Sequence, residues 1–431
     1  MVKIAPPFSV PLQNFQMNLT PHTKPLSPGA TLGVLGGGQL GRMFVHCAQT
    51  MGYKTAVLDP DPQSPAGLVS HFHLVNDFTD QDALAKLGQL CDAVTTEFEN
   101  VPAQALDKLS KLIVVNPSGL AVSIAQDRIR EKQHFINCNV PVAPHVFINS
   151  EEDLRTVGVP HLPGILKTAR LGYDGKGQIR VRNLEEVSDA WLKLKGYSGS
   201  PMPCVLEKLL PLELECSIIL GRKSNGQIVH LPPQRNIHRD GILALTQVHD
   251  GCLSSSLSLK IIEYAKSIAN ELDYVGVLCI EFFVLNNGND SQDPFSLVVN
   301  EIAPRPHNSG HYSVEACDVS QFELQVRCLT DMPLISPRQH SPALMLNLLG
   351  DLWAQVDQIN DSQDQSLSWR EPDWQAILNI KGAHLNLYGK ASPRLSRKMG
   401  HITFTGDSVT ELYHNLAQAT RILGIAPFDK P

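Results

Sequence analysis

Residues 298–311 read Val-Val-Asn-Glu-Ile-Ala-Pro-Arg-Pro-His-Asn-Ser-Gly-His, an apolar run that turns abruptly into a proline-rich, basic and polar stretch. Such a change is typical of the end of a β-strand, and it places Asn300 and Glu301 close to that end. An earlier apolar run over residues 275–284 carries a single acid, Glu281, and a polar stretch separates the two runs. We therefore predict a long β-hairpin that brings Glu281 near Asn300 and Glu301.

The polar residues of this predicted hairpin have the chemistry of a magnesium site. A carboxylate between Ile280 and Phe282 is costly to bury unless it is paired or binds a metal. Carboxylate and amide oxygens suit Mg²⁺ that also contacts substrate phosphates. The alternatives are a salt bridge from Glu281 to Arg305 and a hairpin edge that faces water. The two strands alone do not decide between these interpretations.

Length and composition describe an ordinary globular chain. A chain of 431 residues with 42% hydrophobic and 18% charged residues predicts about two to four domains. The formal net charge of −7 gives no reason to expect a nucleic-acid or acidic-membrane partner. No apolar run is long enough to cross a bilayer, so we expect a soluble protein.

Nine scattered cysteines show no Cys-x-x-Cys spacing, so neither a disulfide framework nor a zinc knuckle is indicated. Residues 1–30 are rich in Pro, Ser and Thr and contain no acid, which predicts a disordered leader. They lack both the apolar core of a signal peptide and an Arg-rich transit pattern, since the first arginine is Arg42. We therefore expect a cytoplasmic protein, with an organellar leader as the alternative.

A parallel α/β domain is predicted over about residues 30–125. A strand at residues 31–35 is followed by the turn Gly-Gly-Gly-Gln-Leu-Gly at residues 36–41 and by a helix over residues 42–51. Further strands are predicted at residues 55–58, 93–99 and 113–117, the first of which ends at Asp59. This alternation of strands and helices is typical of a parallel sheet covered by helices.

The glycine turn matches the dinucleotide pattern Gly-x-Gly-x-x-Gly, and Asp59 stands near the distance of a ribose-binding acid. This combination alone would suggest a nicotinamide-dependent oxidoreductase. The pattern is weak, because any helix N-terminus that approaches a strand or an anion needs the same glycines. It supports an anion site for a phosphate or a carboxylate, and the alternative is tight packing without a ligand.

A second glycine-rich stretch follows a possible linker at residues 140–144. A predicted strand presents Lys167, and residues 172–178 form a glycine-rich loop with lysine. Backbone N–H groups of such a loop can close on phosphate oxygens while lysine neutralises their charge, although the sequence is not a Walker A motif. The alternative is an exposed hairpin tip, which does not explain a lysine on an apolar strand.

The later strands carry further polar candidates. Residues 205–210 form a short strand with Glu207, and residues 213–220 place Glu213 and Glu215 on one strand face. His238 lies in another strand pair, and each of these residues alone could be structural or solvated. The last hundred residues predict a small β-rich domain whose basic loop at residues 388–398 would suit either a phosphate or solvent.

Five motifs in this order (GGGQLGRM, GYDGKG, EKLL, IEFF and NEIAPRPHNSGH) resemble the ATP-grasp superfamily. Within it, the chain is similar to the family of 5-(carboxyamino)imidazole ribonucleotide synthetases from about residue 31 to 425. The resemblance implies a mixed α/β and α+β fold. Its parts would be a leader at residues 1–30, a Rossmann-like domain at 31–130, an ATP-grasp domain at 131–330 and a small β-rich domain at 331–431.

The activity implied by this resemblance is that of a ligase of de novo purine biosynthesis that forms a C–N bond. With ATP and bicarbonate, such enzymes carboxylate the amine of aminoimidazole ribonucleotide through carboxyphosphate and release ADP and phosphate. The resemblance also implies Mg²⁺, or alternatively Mn²⁺, and a homodimer. Phosphoryl transfer of this kind needs positioning and cations at the phosphate oxygens rather than a covalent nucleophile.

The resemblance implies a role for individual residues as well. Magnesium would be held by Glu281, Glu301 and Asn300. ATP would be contacted by Arg128, Lys167, Gly172, Tyr173, Asp174, Gly175, Lys176, Gly177, Gln178, Glu207, Lys208, Leu209, Leu210, Glu215, His238, Asn300 and Glu301. The ribonucleotide would meet Gly38, Gln39, Leu40, Glu97, Glu99, Lys390 and Arg397. The reaction centre would be lined by Tyr173, Arg305, His307, Asn308 and Ser309.

The chain departs from the family pattern at Gln234-Arg235, where a neutral or acidic residue is expected before Asn236. Another ATP-grasp ligase, such as a formate-dependent glycinamide ribonucleotide transformylase, is the nearest alternative. The nicotinamide-dependent oxidoreductase and a nucleotide-binding regulator without turnover are alternatives of different classes.

Overall fold

The computed structural model describes residues 24–170, 172, 177–194, 202–286, 295–358 and 365–429. The predicted leader up to residue 23 and the predicted loop residues Tyr173, Asp174, Gly175 and Lys176 lie outside the described residues. Among the described helices, none combines the length and the apolar character that a membrane span requires.

The N-terminal part is built around a parallel sheet. Its strands are β1 (Thr31–Leu35), β2 (Lys54–Leu58), β3 (Phe72–Leu74), β4 (Ala93–Thr96) and β5 (Val114–Val115). Its helices are α1 (Gln39–Thr50), α2 (Gln81–Leu90), α3 (Ala103–Leu109) and α4 (Gly119–Ala125). The strand order is β3-β2-β1-β4-β5, with all pairs parallel. The first backbone N–H groups of a helix have no partner within the helix, and side chains can accept their hydrogen bonds. At the N-terminus of α2, the Asp80 side chain accepts two such bonds.

A second, antiparallel sheet follows with the order β6-β9-β7-β8. Its elements are α5 (Arg128–Asn137), β6 (His145–Ile148), β7 (Gly164–Thr168), β8 (Gln178–Val181), α6 (Leu184–Lys193) and β9 (Cys204–Lys208). Lys167 and Gln178 are partners at the loop end of the β7–β8 hairpin, so the predicted phosphate loop connects these two strands.

The largest sheet has nine strands and continues into the C-terminal part. Its first half comprises β10 (Leu212–Arg222), β11 (Ile228–His230), β12 (Gln234–Arg239), β13 (Ile242–Val248), α7 (Ser255–Glu271), β14 (Gly276–Asn286), β15 (Phe295–Ala303), α8 (Ser313–Ala316) and α9 (Gln321–Leu329). The C-terminal elements are β16 (Ala343–Leu349), β17 (Ala354–Gln358), β18 (Gln365–Trp369), α10 (Trp374–Leu378), β19 (Ala383–Leu387), β20 (Lys398–Thr405) and α11 (Val409–Leu423).

The strands of this sheet follow the order β15-β14-β10-β12-β13-β16-β20-β19, and β11 pairs with β10. The antiparallel pair β13–β16 joins the two halves, with Leu245 opposite Leu346. The C-terminal strands therefore extend the same sheet that carries Glu281 and Glu301. The β17–β18 hairpin and α10 were not predicted from the sequence.

Helix α9 joins the N-terminal sheet to the nine-stranded sheet. Phe322 and Val326 pack in one apolar cluster with Phe44 of α1. On another face of α9, the Gln325 amide oxygen accepts a hydrogen bond from the Val277 backbone of β14 at 2.7 Å. The Gln325 side chain also contacts Thr95 of β4. Strands β4 and β14 are therefore held in a fixed relation, which matters because functional candidates follow β4 and lie on β14.

Candidate active site

The predicted hairpin of acids is confirmed by the β14–β15 pair. Glu281 and Glu301 are Cα partners, and a β-bulge follows them between Glu281 and Phe282. Arg128 Nη1 lies 3.2 Å from Glu301 Oε2, and His307 Nε2 lies 3.4 Å from Glu281 Oε1. The proposed alternative of a Glu281–Arg305 salt bridge is not found, because Arg305 pairs with Glu99. The hairpin thus presents two neighbouring carboxylates, each next to a different basic side chain.

The hairpin has the donors that a hard divalent cation needs. Burial, followed by the charge of Glu301, raises the pKa of Glu281. The buried Asn300 Oδ1 has no hydrogen-bond partner among the described residues. An unpaired buried amide oxygen is costly, Asn300 directly precedes Glu301 in the chain, and amide and carboxylate oxygens are ligands of hard cations. Glu281, Glu301 and Asn300 therefore fit Mg²⁺.

Two lysines enclose Glu207 on the neighbouring sheet. Glu207 Oε1 lies 3.3 Å from Lys132 Nζ, and its Oε2 lies 3.2 Å from Lys167 Nζ. Burial opposes ionisation of Glu207, but the charges of Lys167, then Lys132 and Arg128, lower its pKa to about 2. A cation-rich cluster therefore faces the hairpin.

Lys132 was missed by the sequence analysis although its side chain is only 1% exposed. Its position could have indicated its role, because Lys132 follows Arg128 by four residues on α5 and residues four apart share one face of a helix. Glu131 of the same helix is also buried and accepts a hydrogen bond from the Ile302 backbone at 2.8 Å. The first turn of α5 therefore connects β9 with β15.

Glu215 and His238, predicted as separate candidates, form one pair across β10 and β12. Glu215 Oε2 contacts His238 Nδ1. Burial lowers the pKa of His238, but its hydrogen bond with Glu215 and the charge of Glu281 outweigh burial and raise it. Glu213, predicted on the same face as Glu215, instead accepts a hydrogen bond from Asn286 at 3.2 Å.

The predicted phosphate loop is described only at its ends. Gly177 has a φ of +72°, which favours glycine, and its carbonyl accepts a hydrogen bond from Thr168 at 2.9 Å. Gln178 begins β8 opposite Lys167, and Gly172 belongs to no helix or strand. The described end at Gln178 therefore lies opposite Lys167, which pairs with Glu207.

The segment that follows β9 is fixed by its backbone. Lys208 donates its N–H to Pro144 at 2.9 Å, and Leu209 donates to Pro163 at 2.8 Å. The Leu210 carbonyl accepts a hydrogen bond from Leu212 at 2.9 Å. This segment leads from Glu207 on β9 towards Glu215 on β10, so Lys208, Leu209 and Leu210 connect the strands that carry these two acids.

The glycine turn before α1 holds carboxylates of the chain itself. Gly38 and Gly41 donate backbone hydrogen bonds to Glu97 at 2.8 and 3.2 Å, and Gly37 donates to Asp59 at 2.6 Å. The anion predicted at this turn is therefore Glu97, and Asp59 supports the turn. A dinucleotide phosphate would have to displace Glu97, which argues against the oxidoreductase alternative.

The residues predicted from this turn differ in accessibility. Gln39 is half-buried at the start of α1, whereas the Leu40 side chain packs in the apolar core with Phe44. Leu40 can therefore offer a ligand only its backbone. Glu99, two residues after Glu97, extends to Arg305 in the turn after β15.

His307 is held firmly in the turn after β15. Its backbone donates to Gln321 Oε1 at 2.8 Å, and its Nδ1 lies 3.0 Å from the Ser309 hydroxyl. Ser309 is fully buried and accepts a hydrogen bond from Ser217 at 2.9 Å, and Asn308 is also buried. Asn308 and Ser309 were predicted at the reaction centre, but this burial indicates that Ser309 positions His307.

The basic loop between β19 and β20 faces the N-terminal part. Lys390 Nζ donates to the Lys398 carbonyl at 2.6 Å, and Arg397 Nη1 donates to Ser392 at 2.8 Å. A Cβ atom on Gly389 would lie 3.0 Å from the Arg42 guanidinium. The structure thus brings Arg42 of α1, which was not singled out from the sequence, next to the loop that carries Lys390 and Arg397.

Three family models match the chain. The ribonucleotide synthetase preATP-grasp domain matches residues 29–126, and the ATP-grasp domain matches residues 133–322. The phosphoribosylaminoimidazole carboxylase C-terminal domain matches residues 343–415.

Curated proteins are similar over most of the chain. The N5-carboxyaminoimidazole ribonucleotide synthase of Brucella melitensis is 39% identical over 385 residues, which cover 88% of this chain and 97% of that protein. The synthase of Staphylococcus epidermidis is 38% identical over 386 residues, which cover 89% and 94%.

Solved structures agree with these sequence matches. N5-carboxyaminoimidazole synthetase from Staphylococcus aureus complexed with ADP has a TM-score of 0.78 and 36% identity, covering 92% of this chain and 98% of that chain. The synthase from Aspergillus clavatus in complex with ADP and 5-aminoimidazole ribonucleotide has a TM-score of 0.77 and 28% identity, covering 92% and 99%.

Proposed function

The chain belongs to the N5-carboxyaminoimidazole ribonucleotide synthase family of ATP-grasp ligases, and we propose that it carboxylates the amine of 5-aminoimidazole ribonucleotide with ATP and bicarbonate. The product would be N5-carboxyaminoimidazole ribonucleotide, an intermediate of de novo purine biosynthesis. The observation that carries the proposal is the pair Glu281 and Glu301, which faces the Lys132–Glu207–Lys167 cluster. The Aspergillus relative, crystallised with ADP and the ribonucleotide, supports the same pair of ligands.

The chemistry explains why ATP is needed. Bicarbonate is a poor electrophile, so one of its oxygens attacks the γ-phosphorus of ATP and forms carboxyphosphate while ADP leaves. The ribonucleotide amine then forms a C–N bond to the carboxyl carbon, the C–O bond to phosphate breaks, and the amine loses a proton. The products are the carboxyamine, ADP and phosphate.

On the ATP side, we assign Lys167 and Arg128 to the phosphates. Both cations are paired with carboxylates in the described structure, Lys167 with Glu207 and Arg128 with Glu301. Because Lys132 also pairs with Glu207, Lys167 can turn to a phosphate without leaving Glu207 as an unpaired buried charge. The glycine-rich loop and Lys208 to Leu210 would cover the nucleotide, with the Glu215–His238 pair near its ribose.

We assign Mg²⁺ to Glu281, Glu301 and Asn300, whose oxygens fit a hard cation. Bound there, Mg²⁺ would neutralise charge on the ATP phosphates. The Glu301 side chain is 42% exposed and that of Glu281 only 14%, so Glu301 is the acid more open to a nucleotide. Partial desolvation raises the pKa of Glu301, but the neighbouring Arg128 charge outweighs it, lowers the pKa and favours the ionised carboxylate.

On the ribonucleotide side, we assign the phosphate to Lys390 and Arg397, with Arg42 beside them. Glu97 and Glu99, with Gly38 and Gln39, would lie near the imidazole. Arg305, which pairs with Glu99, His307, which contacts Glu281, and Asn308 would line the reaction centre, where the guanidinium would stabilise the developing carboxylate. Closure of the loop that contains Tyr173 would exclude water, because hydrolysis of carboxyphosphate would waste ATP.

We also propose a homodimer and a cytoplasmic location. All nine cysteines are free thiols, eight of them buried, which suits a reducing compartment. Sedimentation of the purified protein would establish the oligomeric state.

The proposal is tested by measuring ADP release with ATP and Mg²⁺ while bicarbonate and 5-aminoimidazole ribonucleotide are added separately and together. We expect rapid, stoichiometric turnover only when both are present. Turnover supported by formate with glycinamide ribonucleotide would instead establish the transformylase alternative, and absence of turnover with every acceptor would indicate a regulator.

A further inference from the structure

A cysteine lies beside the proposed magnesium ligands and has no part in the proposed reaction. The Cys279 sulfur, a Glu281 carboxylate oxygen and a His307 ring nitrogen all lie within 4.8 Å of one another. Among the described His, Cys, Asp and Glu side chains, no other group of three brings its possible ligand atoms this close together.

The sequence explains how this group is assembled. Cys279 and Glu281 are two residues apart on β14, so their side chains point to the same face of the sheet. His307 comes from the turn after β15 and approaches Glu281 through Nε2 at 3.4 Å. Its other nitrogen, Nδ1, lies 3.0 Å from the Ser309 hydroxyl. Nδ1 also accepts a hydrogen bond from the Ser309 backbone N–H at 3.3 Å, and these contacts fix the imidazole ring with Nε2 directed at Glu281.

We propose that Cys279, Glu281 and His307 form a binding site for a thiophilic divalent ion such as Zn²⁺. Sulfur, imidazole nitrogen and carboxylate oxygen are the ligands that Zn²⁺ uses in proteins, whereas Mg²⁺ prefers oxygen alone. A tetrahedral zinc site separates its ligand atoms by about 3.3–3.8 Å, so the three atoms need to approach by only about 1 Å. The fourth position would be taken by water or a phosphate oxygen.

Binding at this site releases the thiol proton. The Cys279 thiol must lose its proton to solvent as the sulfur–metal bond forms, because the thiolate is the ligand. No oxidant or other reactant is required.

The two ions would compete because both use Glu281. A thiophilic ion held by Cys279 and His307 takes Glu281 away from Glu301 and Asn300, and so inhibits any reaction that needs Mg²⁺ there. This consequence rests on the proposed function, whereas metal binding itself does not.

Co²⁺ is the probe for the direct test, because a thiolate ligand gives it a near-ultraviolet charge-transfer band. The nucleotide-free, full-length protein is titrated with Co²⁺ under reducing conditions, and Zn²⁺ is then added to displace it. We expect one equivalent of Co²⁺ with the thiolate band, and loss of the band on addition of Zn²⁺.

The matched variants are Cys279→Ala and Cys216→Ala. Cys216 is equally buried and lies on the adjacent strand β10, but it packs in the apolar cluster on the opposite face of the sheet. Cys279→Ala should abolish the band and weaken Zn²⁺ binding at least tenfold, while Cys216→Ala should leave both unchanged. His307→Ala, as a second variant, should weaken Co²⁺ binding but retain a thiolate band.

A band that persists in Cys279→Ala, or that disappears in Cys216→Ala, would overturn the proposal, as would the lack of a one-to-one complex in the folded wild-type protein. Because no ATP or ribonucleotide is present, this result is independent of whether the protein carries out the proposed carboxylation. Failure of carboxylation with retained Co²⁺ binding would contradict the proposed function alone.

Discussion

Glu281 and Glu301 are direct Cα partners on the antiparallel strands β14 and β15, although 19 positions separate them in the chain. Each has a different basic neighbour, His307 for Glu281 and Arg128 for Glu301. The pair therefore combines an acid whose pKa is raised with one whose pKa is lowered.

Glu301→Gln should abolish ATP turnover while the protein stays folded. Glutamine keeps the shape of the side chain but removes the charge that would bind Mg²⁺ and pair with Arg128. We expect the turnover number to fall by at least about a hundredfold, measured as ADP release. Glu213→Gln, an exposed acid on β10, is the control and should retain turnover. Normal activity of Glu301→Gln would remove Glu301 from the metal site.

Lys132→Met should weaken ATP binding without a matching effect on the ribonucleotide. Without Lys132, Glu207 depends on Lys167 alone and holds it away from the phosphates. We expect the KM for ATP to rise about tenfold, which corresponds to about 1.4 kcal/mol, and the unfolding free energy to fall by about 1–3 kcal/mol.

Steady-state kinetics with each substrate varied in turn, together with urea unfolding, measure both effects of the Lys132 substitution. Lys266→Met, on the exposed side of α7, is the control. An unchanged KM for ATP in Lys132→Met would show that Lys132 has only a structural role.

Lys390→Ala should impair use of the ribonucleotide. Loss of one phosphate cation in the β19–β20 loop is expected to raise the KM for 5-aminoimidazole ribonucleotide about tenfold or more, with little change in the KM for ATP. Arg394→Ala changes an exposed cation of the same loop and serves as the control. Equal KM values for Lys390→Ala and wild type would place the phosphate elsewhere.

The buried His401 should make stability depend on pH. Burial lowers its pKa to about 3, whereas an unfolded histidine has a pKa of about 6.5. Between these values the unfolded chain binds a proton that the folded chain does not, so acidification from about pH 6.5 lowers the unfolding free energy by up to about 1.4 kcal/mol per pH unit.

His401→Asn cannot titrate, so its stability deficit relative to wild type should shrink as the pH falls from 7 towards 4. Urea unfolding at several pH values measures this difference. His414→Asn, on the exposed side of α11, is the control. A deficit that stays constant over this range would contradict the assignment to His401.

The hairpin of acids could be predicted because its signal is local. Two apolar runs, each carrying an acid, predicted the pairing of the strands, whereas the chemistry stayed open between a metal site and its alternatives. Lys167 was recognisable for a similar reason, since a lysine on an apolar strand needs a partner. The family motifs added the roles that these local patterns left open.

Other parts of the site depend on contacts that no local pattern reveals. Glu97 fills the glycine turn from 59 residues away, so the sequence left open whether the anion was a phosphate or a carboxylate. Lys132 lies on a helix and Glu207 on a strand, so helical spacing alone does not identify Glu207 as the partner of Lys132. Nothing in the sequence distinguishes Cys279 from other small core residues. Its proximity to His307, which follows a different strand, is evident only in the structure.

The central claim is that bicarbonate is activated by direct phosphorylation, and oxygen transfer tests it most directly. The protein is incubated with ATP, Mg²⁺, 5-aminoimidazole ribonucleotide and ¹⁸O-labelled bicarbonate, and the released phosphate is analysed by mass. Our account predicts that each turnover transfers one bicarbonate oxygen to the phosphate. Carboxylated ribonucleotide formed together with unlabelled phosphate would contradict it.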